Sequence, residues 1–382
     1  MHRDGQDEKL KKMMQEWDKE IDSMPVYVSR KPKSRESPLS LLQEISITGS
    51  SKKMRLKMLN DEFVMKDIAI LGQWTTIYAA PNTGKTLLAL WLLREQIKAK
   101  LIEGKNVFYV NADDTYRGAV EKTEMAEDCG MGMVVPNHND FQVSQIPLFM
   151  RRLAEEDEAK GVVIVLDTLK KFTDLMDKRV GTAFGVQARS FVSAGGTLIC
   201  LAHTNKHKDS DGKGVYSGTS DIVDDSDCVY IVDKISSEGA DSSQTHTVEF
   251  VNKKARGDVS TTQGFSYKRV NGQAYGELMD SVTRVRSHDI AGSRQQAQVE
   301  KRLDEDAEII SAIQDRIQAG TITKAKIISD VKECTAESHA RIRKVLEKRT
   351  GGDYALGDRW VSRPGDHNAQ VYSALPTLFK TM

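Results

Sequence analysis

Gly84-Lys85-Thr86 close the stretch AAPNTGKT, with the apolar run WTTIY before it and the apolar run LLALWLL after it. A small residue, a lysine and a hydroxyl at a strand-to-helix junction can grip phosphate. Loop amides and the helix N-terminus point at the anion, the ammonium neutralises it, and the hydroxyl reaches a divalent cation. The pattern is GxxxxGK[ST], with Ala79 where the first glycine usually stands. That glycine mainly permits a tight turn, and alanine is the next smallest residue. On this reading Pro81, Asn82, Thr83, Gly84, Lys85, Thr86 and Leu87 wrap the phosphates of ATP, Lys85 neutralises the β and γ groups, and Thr86 joins Mg²⁺.

Two carboxylate positions complement the loop. VVIVLD ends at Asp167, about 80 positions later, and an aspartate ending a buried strand can meet Mg²⁺ through water. The alternative is an ordinary strand-end turn residue. YVNADD ends the neighbouring strand candidate with Asp113 and Asp114 at its carboxyl edge, where open α/β sheets bind ligands. Asp113 is the candidate base that orients attacking water. Asp114 is the better candidate for capping the following helix.

The elements that must position these residues form an alternating pattern from about Met58 to Met279. WTTIYA, NVFYVNA, VVIVLD, TLICLAH and DCVYIVD are near-continuous apolar runs, as expected of strands covered on both faces. Helical patterns at about 85–98, 115–128 and 184–194 lie between them, which predicts an α/β fold with a mainly parallel sheet. HTVEFVNKKARGDVSTTQGFSYKRV reads as an antiparallel hairpin at its end.

Taken together, these motifs resemble the RecA-like P-loop ATPases, in the RepA-like branch of hexameric replicative helicases that includes DnaB-type motors. The resemblance covers about residues 58–280. It places Asp113 of "ADD" where the family has a catalytic glutamate, matches the Walker B strand and its basic, aromatic turn with VLDTLKKF, and matches the sensor strand with CLAHTNK. His203 then becomes a sensor of the γ-phosphate and the DNA state, although a lone histidine at a strand end is otherwise a structural hydrogen-bonding group. YSGTSDIVDD matches the family's "RGS"-like segment only in part, with Ser217 where an arginine is often found. NKKARGD is similar to the segment reaching into the neighbour's ATP site, which makes Lys254 and Arg256 a trans lysine and arginine finger and implies a homo-oligomer, a hexamer. Read alone, KKAR is a solvated basic hairpin tip.

Two loops after the strands of Asp167 and His203 would line the ring's channel and hold single-stranded DNA. Lys178 and Arg179 lie in the first, and Lys206, His207, Lys208 and Lys213 in the second. A mixed-charge surface loop looks much the same, and Asp209 and Asp211 dilute the charge.

The flanks carry further modules. Residues 1–57 read as a charged helix, a basic linker SRKPKSRESP, and a short amphipathic helix capped by Ser37 with Leu39, Leu41, Leu42 and Ile45 apolar. That helix is either a local packing element or a docking helix for a neighbouring subunit. Residues 281–303 are polar and lack a strong period, as a linker would. Residues 304–382 hold three short helical patterns, after Thr323 and Thr335 in the last two, and two strand-like runs around RPGDHN. That order predicts a small winged helix-turn-helix. Arg341, Arg343 and Lys344, beside Ser338 and His339, would meet duplex DNA there, although winged helices also serve as protein-interaction domains.

Whole-chain properties exclude several classes. The 382 residues are 39% hydrophobic, enough for a substantial core, and Lys plus Arg equals Asp plus Glu at 55 each. Attraction to nucleic acid must therefore be local. The four cysteines are far apart and lack zinc-site spacing. No apolar stretch reaches membrane-spanning length, so a cytoplasmic protein of a prokaryotic or phage-infected cell is expected. The expected function is an ATP-driven, ring-forming helicase or translocase of a phage, plasmid or mobile element. The alternatives are a DNA-bound ATPase acting as a regulator or mediator, and a binding module with a degraded loop.

Overall fold

The computed structural model describes residues 37–52, 61–114, 116–174, 177–205, 220–320, 323–365 and 369–375. The chain divides into two units. The first runs to Ile231 and includes Asn252–Thr261; the second comprises Val232–Val251 and the chain from Thr262 onward.

Unit 1 begins, among the described residues, with α1 (Pro38–Glu44). Its N-cap Ser37 accepts from the Ser40 amide, and the helix buries no residue. β1 (Phe63–Met65) and β2 (Ala69–Ile70) make a small antiparallel pair. Then strands and helices alternate: β3 (Trp74–Ala79), α2 (Lys85–Lys98), β4 (Val107–Asn111), α3 (Tyr116–Asp128), β5 (Gly132–Val134), α4 (Gln145–Glu155), β6 (Val163–Asp167), α5 (Lys178–Ser193), β7 (Thr197–His203) and α6 (Ser220–Asp225). Across this part of the sheet the order is β3-β7-β6-β4-β5, with every adjacent pair parallel. The continuous apolar runs follow from burial on both faces: all six residues of β3 and all five of β6 are buried. Trp74 anchors the core edge-on to Phe184, with centroids 5.9 Å apart. α4 falls in a stretch that the helical patterns do not cover.

β8 (Cys228–Ala240) starts in unit 1 and ends in unit 2. β9 (Ser243–Ala255) pairs antiparallel with β10 (Thr262–Val270), as the hairpin reading expects, and β10 pairs antiparallel with β11 (Thr283–Val285). α7 (Tyr275–Asp280) precedes β11, and α8 (Ser287–Glu305) follows it. Residues 281–303 are thus a strand and a helix rather than a linker. Their attachment is sparse, which explains the missing period: Ile290 is buried in the space left by the side-chain-free Gly264, and Arg294 pairs with the buried Glu249.

α9 (Ala307–Gln318), α10 (Lys324–Cys334) and α11 (His339–Lys348) pack with the antiparallel β12 (Trp360–Pro364) and β13 (Gln370–Ala374). Ile313, Val331, Ile342, Leu346 and Trp360 form their core. Trp360 donates its indole N–H to the Leu346 carbonyl at 2.8 Å. Asp306, at the head of α9, accepts from the buried Arg349 at 2.8 Å. α11 starts later than Thr335 indicates. Ser338 is its N-cap and accepts from the Arg341 amide, while Thr335 donates to Val331 at the end of α10. Among the described residues no helix is long and apolar enough to cross a membrane.

Candidate nucleotide-binding site

The loop after β3 accounts for Ala79. This residue is fully buried, is the last residue of β3 and stands in register with His203 of β7. It is extended backbone, so no left-handed φ is demanded of it. The turn comes later, at Asn82 (φ 60°) and Gly84 (φ 88°). Asparagine tolerates that region and glycine enters it freely. Thr83 braces the loop by donating to the Ala80 carbonyl at 2.7 Å. Gly84 is the N-cap of α2 and supplies no side-chain cap, so the first-turn amides of α2 are open to an anion.

β6 runs parallel to β4 and ends at Asp167, opposite Asn111. There the Asp167 carboxylate collects three donors. Lys85 Nζ reaches Oδ1 at 2.9 Å, and Thr86 Oγ1 and Tyr109 OH reach Oδ2 at 2.6 and 2.7 Å. Burial alone would raise this carboxyl's pKa, but the Lys85 charge and the hydrogen bonds from Thr86, Lys85 and Tyr109 hold it below the ordinary aspartate value. Thr86 Oγ1 and an ionised Asp167 are hard oxygen donors at one point, the chemistry Mg²⁺ accepts when phosphates and waters complete its shell. Among the described residues no group of three or more His, Cys, Asp or Glu side chains could hold a metal by itself. Tyr109 is the site residue that sequence reasoning missed. Its signal was positional: it lies two residues before the end of β4, beside the strand that carries Asp167.

Asp113 and Asp114 divide their work. Asp114 accepts from Asn111 at 2.8 Å and pairs with Lys122 of α3, so its carboxylate is committed to structure. Asp113 stays more open, with Lys171 Nζ and His203 Nε2 each at 3.8 Å, beyond hydrogen-bond range. Burial lowers the His203 pKa, and the charges of Lys85 and Lys170 lower it further against the opposing pull of Asp113. The ring is therefore neutral at pH 7. Its Nδ1 is buried and has no hydrogen-bond partner among the described residues.

Lys254 and Arg256 make bonds within their own chain. Lys254 Nζ donates to the carbonyls of Val223, at 2.8 Å, and Asp224 at the end of α6. Arg256 donates to Asp227 Oδ1 and to the Asp224 carbonyl, both at 3.2 Å. Asp227 also takes a two-pronged contact from Arg189. Lys206, His207, Lys208, Lys213 and Ser217 lie outside the described residues, as does the charged segment of residues 1–36. On α11, Arg341 is engaged by Glu337 and Asp306, while Arg343 and Lys344 are exposed.

No family model matches the sequence, and no curated protein matches it. Among solved structures it is similar to a KaiC-like protein from the hyperthermophilic archaeon Pyrococcus horikoshii OT3. That likeness spans 57% of this chain and 91% of the other, at 12% identity and a TM-score of 0.38.

Proposed function

We propose that this chain is a RecA-like ATPase whose copies form a ring, a hexamer, and drive movement along single-stranded DNA as a replicative helicase of a phage, plasmid or mobile element. The observation that carries the ATPase reading is the convergence of Lys85, Thr86 and Tyr109 on Asp167 beside the open first turn of α2. An ammonium held by a carboxylate can exchange it for β- and γ-phosphate oxygens as ATP enters, with α2 amides completing the cradle. Mg²⁺ bound at Thr86 and Asp167 would neutralise phosphate charge. Asp113, exposed just beyond the carboxyl end of β4, orients the attacking water and receives its proton. His203, neutral and with its Nδ1 unpartnered among the described residues, reports the phosphate state through β7, which pairs with β3. Lys254 and Arg256 complete the neighbour's site, where an arginine finger stabilises charge on the transferring phosphoryl group.

The lysines of the 206–213 stretch would grip the single strand. The C-terminal helices and hairpin would act as a winged helix, with Arg343 and Lys344 of α11 meeting duplex DNA. That separate basic helix favours one second reading, a DNA-bound ATPase that regulates or mediates without unwinding. The extended backbone at Ala79 argues against a degraded loop.

The test is ATP-dependent strand displacement on a forked duplex, with Lys85→Ala and Arg256→Ala alongside. The motor reading expects unwinding by the wild type and failure of both variants. DNA-stimulated hydrolysis without strand release would replace it with the regulator.

A further inference from the structure

Asp227 stands just ahead of β8, against the amino end of β3. Its amide donates to the Trp74 carbonyl at 2.8 Å, and its Oδ2 accepts from the Trp74 amide at 2.9 Å. The carboxylate is only 10% exposed, and two arginines meet on it. Arg189 of α5 reaches Oδ1 at 3.0 Å and Oδ2 at 2.9 Å, and its guanidinium lies 5.4 Å from the centre of the Trp74 ring. Arg256 reaches Oδ1 alone, at 3.2 Å.

The geometry makes Arg256 the releasable partner. Its side chain is 51% exposed, against 30% for Arg189. Both of its acceptors keep another donor without it: Arg189 remains on both oxygens of Asp227, and Lys254 remains on the Asp224 carbonyl. The backbone is fixed, because the Arg256 amide donates to the Asp227 carbonyl at 2.8 Å, so only the side chain has to turn. Its own chain's phosphate loop is not the destination. Asp227 adjoins Trp74, the first residue of β3, and the loop follows Ala79, the last, roughly 17 Å away at the rise of a strand.

We propose that Asp227 is a positioning residue, a latch that parks Arg256 while no neighbour's phosphate is in reach, and that Arg189 is the standing cation that lets Arg256 leave. The proposal rests on reading Arg256 as an arginine finger for a neighbour. A buried carboxylate stripped of its cation is strongly destabilising, whereas one still held by a two-pronged guanidinium stays compensated. Arg189 thus turns a fixed ion pair into an exchangeable one, and the placement of Arg256 becomes a two-state element that incoming phosphates can bias.

ATP hydrolysis by the full-length protein with Mg²⁺ and single-stranded DNA, followed across protein concentration, tests the latch. Arg256→Ala sets the level reached when the finger is lost. Arg189→Leu makes Arg256 the sole side-chain cation on Asp227 among the described residues, so hydrolysis should fall about tenfold or more while fluorescent-nucleotide affinity holds. Adding Asp227→Asn removes the charge that traps Arg256 and should return hydrolysis to within about threefold of wild type. A purely structural Arg189 predicts the reverse, a double variant worse than either single one. Should Arg189→Leu fail to fold, Asp227→Asn alone decides: with the latch neutralised, the protein concentration giving half-maximal specific activity should fall about threefold or more. Full hydrolysis by Arg189→Leu, no rescue by Asp227→Asn, or an unshifted concentration midpoint in Asp227→Asn each overturns the latch, and the finger reading stands if Arg256→Ala is inactive. Hydrolysis by Arg256→Ala at the wild-type rate removes the finger, and the latch with it.

Discussion

Replacing Tyr109 with phenylalanine removes one of the three donors on Asp167 and little else. The side chain is fully buried and its OH lies 2.7 Å from Oδ2, so the ring's packing survives while the carboxylate keeps only Lys85 and Thr86. A hydrogen bond to a charged group contributes about 1.5–3 kcal/mol. In a unit the size of this one, 1 kcal/mol moves the melting midpoint by about 2–4 °C, so the nucleotide-free protein should melt about 3–12 °C lower. The loss must also depend on pH. Tyr109 favours the ionised carboxylate and so helps depress its folded-state pKa. A depressed carboxylate contributes stability above its unfolded pKa and loses it as pH falls through the folded value, so the gap between wild type and variant should be full at pH 7 and shrink below about pH 4. Circular dichroism melts across pH 3–7 measure both quantities. A midpoint unchanged at pH 7, or a gap that does not narrow in acid, would refute the argument that Tyr109 holds Asp167 in its charged form.

Other perturbations follow from the same geometry. Ala79→Gly, which restores the usual loop residue, should lower stability by about 0.5–1 kcal/mol by loosening a strand end, with no gain in ATP affinity measured by fluorescent-nucleotide titration. Asp113→Asn should slow ATP hydrolysis by about 10²–10⁴-fold while leaving nucleotide affinity near wild type, a split that steady-state kinetics with direct binding would read. Because the His203 pKa is lowered in the fold, the unfolded chain takes up a proton first as pH falls below about 6.5. Stability should therefore decline over that range, and denaturant titrations of His203→Gln should show a flatter slope. In the C-terminal helices, Asp306→Ala strands the buried Arg349 guanidinium and should cost about 3–5 kcal/mol by urea unfolding.

What could be read from the sequence, and what could not, divides along one physical line. Strands buried on both faces declare themselves as apolar runs, so β3, β4, β6, β7 and β8 were legible, and a phosphate loop declares itself because its residues are adjacent in the chain. Asp167 was legible because it ends such a run. Tyr109 was not, because a tyrosine in an apolar strand looks like core until the register of β4 and β6 brings its hydroxyl to Asp167. α8 stayed hidden for a related reason: it is anchored by Ile290 over Gly264 and by Arg294 on Glu249, contacts too few to impose a period. The amphipathic pattern of α1 was plain, but a pattern says only that an apolar face exists, and among the described residues Leu39, Leu42 and Ile45 remain exposed. Lys254 and Arg256 mark the same boundary from the other side. Their charge and spacing were visible, yet their present partners are the carbonyls ending α6 and the Asp227 carboxylate. A trans role therefore requires these cations to exchange contacts of about 3 Å for a neighbour's phosphates, and that exchange can be favourable only if the incoming charge exceeds the one carboxylate and the helix end they leave.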